Sequence, residues 1–297
     1  MNSRQNIDGV LLLDKPAGLT SNTALQKAKR LFNAAKAGHT GTLDPFASGL
    51  LPICFGQATK FSSYALHGDK AYRALLKLGV TTTTGDIEGE VLETRRADVQ
   101  TGTVRQLLPK FTGTIQQIPP MHSALKHQGR PLYEYARKGI EIERKAREVT
   151  IHSLEIEKLE GDELTINVHC SGGTYIRTLA EDIGKTMGCG AHLIALRRTA
   201  SGAFSLDQAV SLEALENMNE QQRMASLLAP DALVAHLPRL DIDAGTALQI
   251  MQGKQPGKPT DCPLQGMVRV YAPQGFLGLA TVEENLVPSR LMAYPTA

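Results

Sequence analysis

The segment that most restricts this chain is Gly38-His39-Thr40-Gly41-Thr42-Leu43-Asp44-Pro45. Its two glycines open backbone angles closed to other residues. Pro45 fixes its own φ and biases Asp44 toward an extended backbone. The expected product is a stiff loop that presents one carboxylate at a set angle, with His39 and two threonine hydroxyls alongside. Such a loop suits a nucleophile or general base. On these residues alone an ordinary Gly-rich turn is the plain alternative.

Hydrophobic patterning places this loop among regular elements. Residues 10–13 form a continuous apolar run ending at Lys15-Pro16 and read as a buried strand. Ser21 or Asn22 is placed to cap a helix running to about Asn33, which carries Lys27, Lys29 and Arg30. Residues 38–47 then read as loop. Tyr72, Ala74, Leu76 and Leu78 alternate along one face of a strand. Residues 129–138 read as a loop and short helix stopped at Gly139. Leu164, Ile166, Val168 and Cys170 alternate with polar residues in another strand, and Gly172-Gly173 turns the chain. Residues 174–187 run into a helix ended by Gly188, and residues 191–198 read as a further strand. The pattern is mixed α/β (α+β), without the regular alternation of a doubly wound parallel sheet.

The chain changes character after about residue 205. Residues 212–235 are helix-rich. Beyond Pro238 come a helix near residues 244–251 and strand-like runs at 267–271, 276–282 and 291–294, punctuated by Gly and Pro. Two domains are expected, residues 1–236 and 237–297, the second small and β-rich.

Composition adds limits. With 297 residues, 42% of them hydrophobic, the chain can bury a substantial core. The N-terminus carries no signal pattern and no apolar run is long enough to span a bilayer. Cys54, Cys170, Cys189 and Cys262 form no close pair and read as reduced thiols of a cytoplasmic protein. Cys54 and Cys170 read as packing residues. The net charge of +2 identifies no partner, but residues 1–80 hold ten Lys/Arg against four Asp. A basic part of this kind can follow a phosphate backbone by releasing counterions; scattered solvated lysines are the alternative.

The run GHTGTLDPFASGLLPICFGQATK at residues 38–60 stands downstream of Gly9-Val10-Leu11-Leu12-Leu13-Asp14-Lys15-Pro16. Asp69-Lys70-Ala71-Tyr72 and Pro119-Pro120-Met121-His122-Ser123-Ala124-Leu125-Lys126 follow. So do Gly173-Thr174-Tyr175-Ile176-Arg177 and Gly190-Ala191-His192-Leu193, then Leu196-Arg197-Arg198. In this order, over roughly residues 8–200, the chain resembles the TruB-type family of tRNA pseudouridine synthases. The resemblance implies a pseudouridine synthase catalytic fold on a mixed, largely antiparallel sheet. For residues 237–297 it implies a PUA-like RNA-binding domain, a purely structural cap being the alternative. It further implies a monomeric enzyme that isomerises the uridine at position 55 in the T-loop of tRNA. The implied partner is the T-arm and T-loop, with no membrane and no metal, nucleotide or redox cofactor.

That reaction breaks a glycosidic bond, turns the base and rejoins it through carbon. It involves no redox change and no net hydrolysis. A carboxylate nucleophile can divide such a step, and Asp44 is the matching residue; whether it acts on the uracil ring or the ribose stays open. A lone carboxylate in a dry pocket tends to protonate. The resemblance gives the cationic partner as Arg177, whose planar fork can hold both oxygens. Tyr72 would stack on the flipped uracil or help move a proton. Tyr175 would line the pocket and Leu196 would wall it. Lys60 would serve a buried ion pair or a phosphate contact. His39 would fill the space left by the flipped base. His122 stands where related sequences often carry an aromatic, and Gly172 where a bulkier residue is frequent. Neither is expected to touch a catalytic residue.

Other classes fit less well. Asp86, Glu88 and Glu90 suggest a hard-metal site but lack the calcium-loop pattern and read as an acidic turn. A covalent hydrolase would want a nucleophile elbow or paired histidine motif. A non-catalytic RNA-binding protein could share the same surface; the set Asp44, Tyr72 and Arg177 argues for chemistry.

Overall fold

The computed structural model describes residues 3–293. The first apolar run is strand β1 (Gly9–Lys15), followed by helix α1 (Ser21–Leu31). The cap of α1 is Thr20, whose hydroxyl accepts from the Thr23 amide at 3.0 Å, rather than Ser21 or Asn22. Ser21 is turned into the loop before Asp44 instead. Strands β2 (Ala37–His39) and β3 (Ser48–Phe55) bracket that loop, so His39 closes a short strand opposite Ile53 and is not itself a loop residue. Next come α2 (Ser62–Leu66), β4 (Lys70–Leu78), β5 (Val80–Thr82), β6 (Val91–Thr94), α3 (Thr101–Leu107) and β7 (Gly113–Gln117). A hairpin of β8 (Lys126–His127) and β9 (Arg130–Pro131) leads into α4 (Leu132–Ala136). Strands β10 (Arg147–Glu160) and β11 (Glu163–Cys170), helix α5 (Ile176–Thr186), and strands β12 (Ala191–Ser201), β13 (Phe204–Ser205) and β14 (Val210–Ser211) follow, then α6 (Leu212–Asn217) and α7 (Glu220–Ala225).

The main sheet runs β14-β1-β3-β12-β4-β11-β10-β7, with β2 on β3 and β13 on β12. Only β1/β14 and β3/β12 are parallel; every other pair is antiparallel. The expected mixed, largely antiparallel sheet is what the chain forms.

Burial on both faces explains why β1 reads as an unbroken apolar run, and β3 beside it is built the same way. Leu11, Leu13, Leu51, Ile53 and Phe55 face one core, with Ala24, Leu25 and Ala28 of α1 and Leu179, Ala180 and Ile183 of α5. Val10, Leu12, Leu50 and Cys54 face another on the opposite side. A strand buried on both faces loses the polar half of its pattern. Ala74, Leu76, Leu164, Ile166, Val168, Leu193 and Leu196 extend the first core, and Tyr72 packs at its margin. The four cysteines are free, and Cys54 and Cys170 are buried, as packing residues should be.

A second sheet, β15 (Arg239–Asp241), β16 (Gly266–Ala272), β17 (Gly275–Val282) and β18 (Leu286–Leu291), packs with α8 (Ala244–Met251) on a core of its own. The last strand lies earlier than the expected 291–294, because Pro288 is accommodated on an edge strand where no ladder donor is needed. Residue 294 lies outside the described residues. The two sheets meet through shared apolar packing. Phe61 and Phe276 have ring centroids 5.3 Å apart, and both belong to the core that contains Val10 and Leu12. No described helix is long and apolar enough to cross a membrane.

Candidate active site

The loop carrying Asp44 is gripped from outside by its own backbone. Ser21 Oγ donates to the Leu43 carbonyl at 2.9 Å and accepts from the Leu43 amide at 2.8 Å. Lys15, at 0% exposure, donates from Nζ to the carbonyls of Leu19 (2.7 Å), Pro16 (2.9 Å) and Pro45 (3.4 Å). Arg198 donates to the Gly41 carbonyl at 3.2 Å and the Leu50 carbonyl at 2.7 Å. Gly41 adopts φ +94°, which a side chain would resist. The stiffness expected of the loop is therefore real, and most of it comes from residues outside the loop.

Asp44 meets Arg177 across this frame. Arg177 Nε lies 3.1 Å from Asp44 Oδ2, and Nη2 lies 3.4 Å from Oδ1. The Asp44 side chain keeps 34% of its exposure, enough for a substrate to reach, whereas Arg177 behind it keeps 5%. The guanidinium also donates from Nη2 to the His122 carbonyl at 2.7 Å and from Nη1 to the Thr84 carbonyl at 3.2 Å. Nη1 pairs with Asp86 Oδ2 at 3.3 Å. Two expectations are corrected here. His122 does touch Arg177, one of the residues expected to be catalytic, through its backbone oxygen. Asp86 belongs to no solvated acidic turn: it is buried, pairs with Arg177, and accepts from Thr84 Oγ1 at 2.6 Å and the Glu88 amide at 3.0 Å. Glu88 and Glu90 remain exposed.

Arg177 is delivered by the start of α5. Tyr175, two residues before it, is held by Gln117, which accepts from the Tyr175 amide at 3.0 Å and donates to the Tyr175 carbonyl at 3.2 Å. Burial pushes the Tyr175 phenol up, with the Asp44 charge a small addition. Tyr72 sits on β4 directly between Val168 of β11 and Arg198 of β12. Leu196, paired with Ala74, is buried one strand repeat away. His39 is half-buried, and its Nδ1 has no hydrogen-bond partner among the described residues. Of the two roles expected of Lys60, the buried ion pair is not formed among the described residues. Its ammonium donates to the Leu291 carbonyl at 2.7 Å in the junction with the second sheet.

The electrostatics follow from burial. Burial pushes the Asp44 carboxyl up, with the Asp86 charge adding to it; Arg177 and then Lys15 oppose the rise. Burial draws the Lys15 ammonium down to about 8. Burial also lowers the His39 imidazole, with Arg198 adding to the effect, so His39 is held neutral near physiological pH. The Tyr72 phenol is pushed up by burial and eased back by Arg198. The result is an approachable carboxylate whose charge one guanidinium supports against burial, beside a phenol pushed up by burial and an apolar wall. Among the described residues, no group of three or more His, Cys, Asp or Glu is placed to hold a metal ion.

Residues 29–176 match the model described as TruB family pseudouridylate synthase (N terminal domain). Residues 177–237 match the tRNA pseudouridylate synthase B C-terminal domain, and residues 238–292 match Pseudouridine synthase II TruB, C-terminal. A protein from Thiobacillus denitrificans named tRNA pseudouridine synthase B is 59% identical, over 98% of this chain and 98% of its own. One of the same name from Aromatoleum aromaticum is 55% identical, over 98% of this chain and 94% of its own. Among solved structures, the chain is similar to one described as the crystal structure of a Cbf5-Nop10-Gar1 complex. The TM-score is 0.73 at 26% identity, covering 95% of this chain and 84% of that chain.

Proposed function

The chain belongs to the TruB family of pseudouridylate synthases, and on that premise we propose that it isomerises the uridine at position 55 in the T-loop of tRNA to pseudouridine. The observation that carries the site assignment is the fork of Arg177 on both oxygens of Asp44, in a pocket that otherwise favours protonation.

The chemistry then falls to named groups. A uridine inside a folded T-loop is stacked and has to be flipped out, which costs a few kcal/mol. His39, neutral and partly buried, fills the space it leaves. Asp44 attacks as the ionised carboxylate, and Arg177 maintains that charge against burial. Tyr72 stacks on the extruded base, and its hydroxyl is available to the carbon-bound proton that must leave after the base has turned. Tyr175 and the Leu196 side keep the detached uracil from escaping. Residues 1–236 form the catalytic domain, and residues 237–297 form a PUA-like domain that contacts the RNA. The enzyme acts as a monomer in the cytoplasm and needs no metal or organic cofactor.

The test is incubation with an unmodified tRNA transcript and mapping of pseudouridine along it. Wild-type protein is expected to modify position 55, and pre-folded tRNA is expected to be modified equally well in EDTA. Asp44→Asn is expected to give no product while binding tRNA within about tenfold of wild type, because phosphate contacts dominate affinity. Near-normal single-turnover product from Asp44→Asn would remove the nucleophile assignment, and modification at another position would overturn the choice of substrate uridine.

A further inference from the structure

Arg198 is among the largest fully buried side chains, at 1% exposure, yet no carboxylate lies within ion-pairing distance of it among the described residues. Its neighbour Arg197 is the opposite case, partly exposed and paired with Asp14 at 2.7 Å. A buried guanidinium without a counter-charge is costly unless its N–H groups are all used. Arg198 uses Nε on the Leu50 carbonyl and Nη2 on the Gly41 carbonyl. Neither contact requires a charge, since a neutral donor would serve.

Across the sheet from Arg198 stands Tyr72. Arg198 and Tyr72 are directly opposed across the β12/β4 ladder. Directly opposed residues place their side chains on the same face with Cβ atoms about 4.5–5.5 Å apart. The guanidinium side of Arg198 therefore faces the Tyr72 phenol, and its charge eases the phenol back from the rise that burial imposes. The same β12 segment fixes β3 on its other side. Arg198 pairs with Gly49, where a Cβ would sit 2.3 Å from the Arg198 carbonyl oxygen and φ is +103°. The backbone of Arg198 is thereby packed closely on Gly49, and its side chain links the Gly41 turn before Asp44 to the start of β3, on the sheet face it shares with the opposed Tyr72.

We propose that Arg198 is a positioning residue for Tyr72. By donating to the phenol oxygen it occupies one acceptor direction and turns the phenol O–H away from itself, so that the hydroxyl has one orientation when the base arrives. Its charge also favours negative character on that oxygen. The Gly41 contact ties this orientation to the loop that bears Asp44, so the nucleophile and the phenol are set relative to one another by one side chain. The inference rests on the assignment of Tyr72 to the reaction.

A double-mutant comparison separates the two. Arg198→Lys keeps the charge and can still reach one carbonyl, but an ammonium cannot reproduce the fork. Acting through Tyr72, it should slow single-turnover pseudouridine formation at least tenfold with tRNA Kd changed less than threefold. In a Tyr72→Phe background, which has no phenol to orient, the same substitution should cost less than a further twofold. Equal losses in both backgrounds would overturn the proposal and leave Arg198 as a structural strut. A full rate in Tyr72→Phe alone would overturn the Tyr72 assignment instead. A readout that requires neither turnover nor an Arg198 variant uses arginine labelled with 15N in the guanidinium. The slowly exchanging Arg198 N–H signals should move between wild type and Tyr72→Phe, a near-isosteric change, while those of Arg197 stay in place. Unmoved Arg198 signals would equally refute the contact.

Discussion

Replacing Arg177 by lysine probes the pairing at the centre of the site. The guanidinium offers five N–H groups. It meets five acceptors: Asp44 Oδ2 and Oδ1, the His122 and Thr84 carbonyls, and Asp86 Oδ2. An ammonium has three donors, so at least two acceptors are left without one. An unmet buried acceptor costs about 1–3 kcal/mol, which puts the whole substitution at roughly 2–6 kcal/mol, divided between folding and reactive geometry. If half of the midrange falls on the reaction, about 2 kcal/mol, the rate drops roughly thirtyfold. The pH profile adds an independent sign. The reaction needs ionised Asp44, so the rate is lost as pH falls through the Asp44 pKa, which burial has already raised. Arg177 is the largest influence opposing that rise, so weakening its fork moves the acid limb to higher pH. The assay is single-turnover pseudouridine formation against pH, with urea unfolding in parallel. A rate within threefold of wild type together with an unmoved acid limb would refute the reasoning.

Asp44→Asn should be at least as stable as wild type at neutral pH. A carboxyl whose folded pKa is raised stabilises the fold below its unfolded pKa and loses that contribution as pH rises through the folded value. A lower urea midpoint at pH 7 would contradict this. His39→Ala should lose roughly 1–3 kcal/mol of stacking on a folded T-arm and recover part of it on a loop variant whose target base is already unstacked; equal loss on both substrates would mean that His39 acts after flipping. Lys60→Met should lower the unfolding free energy by about 1 kcal/mol through its lost bond to Leu291, with the salt dependence of tRNA binding unchanged. A salt slope smaller by about one would make Lys60 a phosphate contact after all. Thr20→Ala should cost about 1 kcal/mol as the lost cap of α1, measured by urea denaturation, and an unchanged midpoint would move the cap elsewhere.

What could be read from the chain and what could not divide along burial. The meeting of Asp44 with Arg177 was legible because each sits in a motif of distinctive neighbours, and the sheet was legible in part, from the alternation of β4 and β11 and the unbroken apolar run of β1. Asp86 was not, since three acidic residues within five positions look alike in sequence and only folding hides one of them. Lys15 looks like a polar residue terminating a strand. Nothing local says that its ammonium turns inward onto three carbonyls. The Lys60 contact was hidden for a related reason: its partner is Leu291, 231 positions away, and contacts at that separation leave no local trace. Ser21 was assigned to the nearest helix start, where hydroxyls commonly cap, but Thr20 one position earlier does that work and frees Ser21 for Leu43. The final strand was displaced by Pro288, which is a breaker in most strands and acceptable at an edge.

The loop that presents Asp44 is held at its peptide groups, at Gly41, Leu43 and Pro45, by side chains that belong to other elements. Its shape is therefore encoded at Lys15, Ser21 and Arg198 more than at the residues along it. A saturation scan read only for loss of product would accordingly rank those three distant positions beside Asp44, while Thr42, exposed and with none of these contacts on its side chain, would tolerate exchange. Engineering the loop for a different RNA could begin at Thr42 without dismantling the scaffold that aims the carboxylate.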